Sequence, residues 1–358
     1  MRPLDFQIIL DDPMGVFSAG SEVSGRVLVR LSETLKMTRL TVQMTGEGEV
    51  MWTDQKNQGV GREEDEWEEV PDHFTSKETY LKLETTLCDR PELHAGTHLF
   101  PFSFHLPPTL PSSFDAPHGS VGYTVRADIV QAWYRTNYLA EQPVRVQGVL
   151  ELSSSSQVAG RTSGHRSLGA LFWKAGPIAA TLTTERTGFL PGDTVVVTAE
   201  LGNQSTRTVS GCVLSLVQQV TYCTSRKNRT ETRVVAEVKR DGLAPGSMEV
   251  WDQATLEVPL HLAATDLTGG CGVLRVEYRL ELRLLPGGLS LDLVVSLPLT
   301  IGTVLPGHRT SNSGLEKECS GVVKPSAPSP LSNSPPSYMD AFVGQKEEED
   351  DDNDFQLI

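Results

Sequence analysis

The sequence predicts an all-β chain, two β-sandwich domains in tandem followed by a disordered tail. Three observations carry this. Apolar residues recur with period two wherever a pattern is readable, which is the repeat of a strand with one buried face. Thirty-one glycines and 22 prolines break the apolar runs, and no window of twelve or more residues has convincing helical spacing. One plan also appears twice: Phe17-Ser-Ala-Gly20-Ser-Glu-Val23 matches Phe189-Leu-Pro-Gly192-Asp-Thr-Val195, and Val121-Gly-Tyr123-Thr-Val125 matches Val276-Glu-Tyr278-Arg-Leu280.

Taken in order, the first strand signal is Val23, Gly25, Val27, Val29 and Leu31, alternating with Glu22, Ser24, Arg26, Leu28 and Arg30. Leu40, Val42 and Met44 interleave with Arg39, Thr41 and Gln43, and Phe100, Phe102, Phe104 and Leu106 form another row. Pro107, Pro108 and Pro111 cannot sit in a central strand, so they mark a connection between sheets, and Gly119 lets the chain return to one. Val195, Val197, Ala199 and Leu201, then Tyr278, Leu280, Leu282 and Leu284, repeat the alternation in the second half. Gly20 and Gly192 stand where a turn must reverse before a strand. Tyr123 and Tyr278 are expected to point inward, each needing a partner for its hydroxyl.

The two copies lie 172 and 155 residues apart at these landmarks, too far for a solenoid repeat of roughly 20–50 residues. Boundaries follow from composition: a first sandwich over 1–152, a linker over 153–167 opened by Ser153 to Ser156, a second sandwich over 168–305, and a tail over 306–358. The tail's Pro/Ser-rich stretch followed by acids is the composition of disorder.

The formal net charge of −15 argues against a general nucleic-acid or anionic-membrane binder. Most of it is local. Arg62 to Glu69 carries −5 and Gln345 to Asp354 carries −6, so the remaining chain is close to balance. The first run is expected in a loop between strands of the first sandwich, the second at a solvated terminus. The N-terminal segment lacks the long apolar run of a secretory signal, and no window approaches the 18 apolar residues of a membrane span. Neither end carries a lipidation signal, since Arg2 follows the initiator and the chain ends FQLI. Nothing therefore points to direct membrane insertion. Cys88, Cys212, Cys223, Cys271 and Cys319 form no CxxC pair and are read as reduced, mostly buried thiols of a cytoplasmic protein. The sequons at Asn203 and Asn228 then have no use.

Several phrases together carry a resemblance. FSAGSEVSGRVLV (17–29) and the stretch from Pro111 to Ala127, of the form PxSF-x4-GSVxYxVxA, lie in the first half. AGPIAATLTTERTGFLPGD (175–193), LRVEYRL (274–280) and LPLTIGT (297–303) lie in the second. Five phrases in register over 1–305 resemble the arrestin-domain-containing proteins, or α-arrestins. The resemblance implies two arrestin-like sandwiches of immunoglobulin type, no catalysis, and an adaptor's role.

The tail holds Pro335-Pro336-Ser337-Tyr338, a PPxY sequence. Two prolines pre-set a polyproline II backbone, so little entropy is lost on binding, and WW domains offer aromatic-walled grooves for the proline pair and the tyrosine. In α-arrestins this motif recruits HECT-type ubiquitin ligases. Pro335, Pro336 and Tyr338 are thus the expected WW-domain-binding residues, and the sandwiches are expected to recognise membrane-protein cargo such as receptors or transporters. The implied outcome is ubiquitylation, endocytosis and endosomal sorting, with recruitment from the cytoplasm to plasma membrane and endosomes. Close family members often carry two such motifs, whereas this chain carries one. A branch of the family associates with thioredoxin through a cysteine just before a tryptophan of the second domain. Here that stretch reads Ser247-Met248-Glu249-Val250-Trp251, without cysteine, so thioredoxin is not expected as a partner. The competing reading is an arrestin-fold endosomal sorting scaffold that works without a ligase.

No catalytic constellation or cofactor site emerges. Thr45-Gly46-Glu47-Gly48 lacks the full GxGxxG and puts a carboxylate where phosphate would sit. His94 and His98 have helical i, i+4 spacing, but their surroundings read as a loop entering a strand and no third ligand accompanies them. No nucleophile elbow is present, and no cysteine has an activating neighbour.

Overall fold

A computed structural model describes residues 3–57, 69–170, 173–288 and 290–306. Every regular element among them is a strand or a single 3-10 turn. The first half contains β1 (Asp5–Leu10), β2 (Val16–Ser18), β3 (Glu22–Leu31), β4 (Leu35–Lys36), β5 (Arg39–Asn57) and β6 (Glu69–Cys88). These are followed by β7 (Glu92–Leu93), β8 (Gly96–His105), β9 (Phe114–Ala116), β10 (Gly119–Val130) and β11 (Tyr138–Gln147). The second half contains β12 (Gly160–Ala170), β13 (Trp173–Thr184), β14 (Gly188–Phe189), β15 (Thr194–Asn203) and β16 (Val209–Cys223). It ends with β17 (Asn228–Leu243), β18 (Met248–Glu257), β19 (Leu274–Leu285) and β20 (Leu293–Ile301).

The two halves repeat one topology. The first pairs a β1-β3-β8 sheet with a β2-β11-β10-β5-β6 sheet, and the second pairs β13-β15-β18 with β14-β20-β19-β16-β17 in the same relative order. Even the parallel pairings correspond, β2 with β11 and β14 with β20. The predicted alternation is borne out in the burial. Val23, Val27, Val29 and Leu31 of β3 and Tyr278, Leu280, Leu282 and Leu284 of β19 are all buried, while Arg26, Arg30 and Arg283 are exposed. Leu28 departs from the rule, because the outer face of β3 buries it too. The predicted turns have left-handed glycines, Gly20 at φ +84° and Gly192 at φ +91°, a backbone that a Cβ would strain.

Both expected tyrosines are inside, and each hydroxyl donates to a main-chain oxygen of the connection that precedes its strand. Tyr123 reaches Pro111 O at 2.7 Å and Tyr278 reaches Ala263 O at 2.8 Å. Burial pushes both phenols up, Tyr278 to about 12. The glycine alternation in β5 belongs to the same packing. A Cβ on Gly46 would overlap the Tyr123 ring, and one on Gly48 would overlap Tyr80.

Two expectations are corrected. The segment 153–167 is not a free linker. Ser154–Gln157 is a 3-10 turn whose Ser156 N is 3.3 Å from Ser153 Oγ, and Thr187 N donates to Ser156 O at 2.9 Å. From Gly160 the chain is already β12, an extra strand of the second sandwich hydrogen-bonded along β13. Two of its glycines sit where neighbours come close: a Cβ on Gly160 would sit 2.5 Å from Thr187 and 3.0 Å from Leu297, and one on Gly164 3.1 Å from Val295. Nor are the thiols mostly buried. Cys212 is, and burial raises its pKa to about 11, but Cys88, Cys223 and Cys271 are only half-buried; all four are free, and Cys319 lies outside the described residues.

Removing either tyrosine hydroxyl leaves a buried carbonyl without its donor, at a cost of about 1–3 kcal/mol. Tyr123→Phe and Tyr278→Phe are expected to lose stability by that amount each in urea unfolding. Wild-type midpoints in both would show the two anchors to be incidental.

Candidate functional site at the domain seam

Pro335, Pro336 and Tyr338 lie outside the described residues, as do most of the acidic run at 62–69 and all of that at 345–354. What the structure brings together is a seam between the sandwiches that sequence patterning did not reveal. Two long hairpins meet there, β5–β6 of the first sandwich and β16–β17 of the second.

The seam has an aromatic floor. Trp52 of β5 stacks on Phe74 of β6 with centroids 5.3 Å apart and planes 14° apart. Tyr222 of β16 tilts against Trp52 at 6.4 Å, and His118 meets Tyr222 edge-on at 5.3 Å. Trp52, Phe74 and Tyr222 are buried, so their apolar area contributes in full and the ring geometry adds about 0.5–1.5 kcal/mol per pair.

Above the floor lies a row of charge. The turn between β16 and β17 presents Arg226 and Lys227, and the start of β17 adds Arg229. Arg226 makes a fork on Asp72, with Nη1–Oδ1 at 3.1 Å and Nη2–Oδ2 at 3.2 Å. Lys227 Nζ donates to Asp54 Oδ2 at 2.6 Å, and Arg229 Nη1 lies 3.7 Å from Asp54 Oδ1. Arg226 and Lys227 also stand over the Phe74 ring, 5.2 and 5.6 Å from its centre. Glu231 takes Arg229 at 3.0 Å and His118 Nε2 at 2.9 Å. The Lys227 ammonium, bonded to Asp54, holds that carboxyl below its usual value. These pairs are solvent-facing, so they set register between the sandwiches more than they set stability.

Further contacts complete the seam. Gly272 N donates to Glu78 Oε2 at 2.8 Å, and Tyr80 Oη sits 3.1 Å from Cys271 Sγ. Asp266, Leu267 and Thr268 run at φ +51°, +50° and +73°, three consecutive non-glycine residues in left-handed backbone. That bend drives Leu267 into full burial and lets Leu267 O accept from Ser112 N at 2.9 Å. Thr268 Oγ1 lies 3.3 Å from Leu110 O. Near the end of the second sandwich, Thr303 N donates to Leu150 O at 2.9 Å and Leu152 N to Val304 O at 3.0 Å. Several kcal/mol of backbone strain are therefore held in place by contacts between domains.

The residues rejected as chemistry find structural places. His98 is a strand residue whose Nε2 is 2.8 Å from His94 O, and its ring stacks on Phe100. Among the described residues no group of three His, Cys, Asp or Glu is placed to hold a metal ion. Nor is any helix among them long and apolar enough to cross a membrane. One signal for the seam was in the sequence: Arg226, Lys227 and Arg229 crowd the turn and first residues of a hairpin. Their partners are 154 and 173 positions away and carry no pattern of their own.

Asp54 has a folded-state pKa below 3.8, so its contribution is complete above that value and is lost as pH falls through the lower folded one. The protection of the Ser112 amide, which donates across the seam, taken relative to its unstructured exchange rate at each pH, is expected to fall in that acid window. Asp54→Asn is expected to show the lower protection already at neutral pH, and unchanged protection in that variant would remove the ion pair from the clamp. Asp266→Gly relieves left-handed strain and is expected to raise stability by about 1 kcal/mol in denaturant unfolding, unless the φ of +51° is unstrained.

Comparison with known proteins agrees with this geometry. The family model "Arrestin (or S-antigen), N-terminal domain" matches residues 6–153, and "Arrestin (or S-antigen), C-terminal domain" matches residues 174–306. The chain is 26% identical over 346 residues to human arrestin domain-containing protein 4, covering 92% of this chain and 79% of that one. It is 27% identical over 329 residues to human arrestin domain-containing protein 1, covering 90% and 71%. With arrestin domain-containing protein 17 of Caenorhabditis elegans it shares 25% over 311 residues, covering 84% and 70%. Two tandem sandwiches of one topology, matched in order by both arrestin domains, make this chain a member of the arrestin family, among the arrestin-domain-containing proteins or α-arrestins.

Proposed function

We propose that the protein is a non-enzymatic trafficking adaptor that couples membrane-protein cargo to a WW-domain ubiquitin ligase of the HECT type. One observation carries the reading: an arrestin-family body is followed, 34 residues beyond Ile301, by Pro335-Pro336-Ser337-Tyr338. Pro335 and Pro336 would fill one aromatic groove of the WW domain and the Tyr338 ring the other. The sandwiches would hold the cargo, a receptor or transporter, and the ligase would ubiquitylate it for endocytosis and endosomal sorting. The protein would work from the cytoplasm, recruited to plasma membrane and endosomes by its cargo.

With a single motif, the chain has none of the roughly 10²–10⁴-fold gain that a second linked motif can give toward a ligase with several WW domains. Affinity should then rest on Tyr338 alone among the ring contacts. In a pull-down with isolated WW domains, Tyr338→Ala is expected to lose at least tenfold in binding relative to wild type. Equal capture of both chains would sink ligase recruitment and leave a sorting scaffold that acts without ubiquitin.

A further inference from the structure

The turn joining β16 to β17 has four residues, Thr224 to Lys227. Thr224 braces it: its Oγ1 donates to Lys227 O at 2.7 Å and accepts from Lys227 N at 3.1 Å. Ser225 is different. It is exposed and makes no hydrogen bond among the described residues. Arg226 and Lys227 follow it directly and Arg229 follows at the fourth position, the same three cations that hold Asp72 and Asp54 across the seam. The other nearby hydroxyls are engaged, since Thr221 Oγ1 and Thr230 Oγ1 lie 3.1 Å apart and bond to each other.

We propose that Ser225 is a phosphorylation site for a protein kinase that selects hydroxyls by the cations that follow them, and that its phosphate releases the charged clamp of the seam. This rests on the body alone and is independent of the Tyr338 reading. In the transfer, Ser225 Oγ attacks the γ-phosphorus of a nucleoside triphosphate. The Oγ–P bond forms as the bond to the bridging oxygen breaks, the hydroxyl proton passes to the kinase's base, and nucleoside diphosphate leaves. Kinases choose among exposed hydroxyls largely by the pattern of charge around them, and three cations within four residues form such a pattern. The side chains of Arg226 and Lys227 are 62% and 53% exposed, so carboxylates of a kinase groove can reach them.

The consequence follows from charge and distance along the chain. Phosphoserine carries about −1.5 to −2 at neutral pH and three strong acceptor oxygens. At position 225 it stands one residue from Arg226 and two from Lys227, so pairing with them closes almost no loop. Asp72 and Asp54 must hold the same cations across a domain boundary. The phosphate also adds negative charge beside both carboxylates, which favours separation of the two hairpins at this edge. The aromatic floor of Trp52, Phe74 and Tyr222 carries no charge and is left as the hinge of that movement.

The test uses the full chain, a nucleoside triphosphate and the catalytic domain of a kinase that prefers Arg or Lys after the acceptor. Phosphate is mapped by tandem mass spectrometry, and the seam is followed by amide exchange at Ser112 and Gly272. One phosphate is expected at Ser225 and none in Ser225→Ala, which keeps an exposed turn position and should fold. Exchange at the two amides is expected to rise about three- to tenfold, the factor for losing two exposed ion pairs. The double variant Arg226→Ala/Lys227→Ala should start at the raised rate and not rise further with Ser225→Glu added. Phosphate that maps elsewhere, or phosphorylation at Ser225 with unchanged exchange, overturns the proposal.

Discussion

The contact between Trp52, Phe74 and Tyr222 governs how the two sandwiches share one chain. Each sandwich ends its larger sheet in a long hairpin, β5–β6 or β16–β17, and past Val50 the described part of β5 is laddered to β6 alone. A strand that runs past its core exposes main-chain groups and apolar rings, and that is a liability unless something covers it. Here each hairpin covers the other. The stacked rings bury the apolar part, and the carboxylates of Asp54 and Asp72 meet the cations of the opposing turn at the rim. The strained bend at Asp266 to Thr268 is braced from both sides, since Leu267 O accepts from Thr268 Oγ1 within the second sandwich and from Ser112 N of the first. The seam is thus part of the fold.

Within each sandwich, duplication has preserved a device more faithfully than it has preserved residues. A tyrosine at the same place in β10 and β19 anchors the connection that leads into its strand, through a hydroxyl donated to a main-chain oxygen. The anchored residues are different, Pro111 and Ala263, because a carbonyl is all the hydroxyl needs. The surroundings differ as well. Tyr278 also accepts from Gln218 Nε2 at 2.9 Å, and Arg233 in turn donates to Gln218 Oε1 at 3.1 Å, whereas Tyr123 packs its ring over Gly46. The halves diverge most at β12, which extends the second sandwich's smaller sheet by one strand beyond β13. The corresponding edge of β1 in the first sandwich has no such addition.

Body and tail then suit different tasks. Outside the acidic run at 62–69 the body is close to charge balance, and the buried Tyr123 and Tyr278 hydroxyls are committed to holding connections. Recruitment, on the proposed reading, is assigned to a short linear motif outside it. A division of this kind lets the cargo-facing surface and the ligase-facing motif change independently. It also places any control that acts on the seam, such as charge added at Ser225, far along the chain from the motif.

The sequence by itself determined the class, the duplication and the interior. Strand alternation is a local, period-two property of side chains, so Val23 to Leu31 and Tyr278 to Leu284 announce their buried faces without a fold. The left-handed turns at Gly20 and Gly192 are equally local. β12 was hidden because two of its inward positions, Gly160 and Gly164, are glycines that leave room for Thr187, Leu297 and Val295, so that only Leu168 signals a buried face, and its serines and glycines imitate a linker. The seam was hidden for a related reason. Arg226 with Asp72 and Lys227 with Asp54 join residues 154 and 173 positions apart, and no periodicity links them. What a residue does to its neighbours along the chain can be read from the chain. What it meets across a domain boundary was decided only when two folded sheets came together.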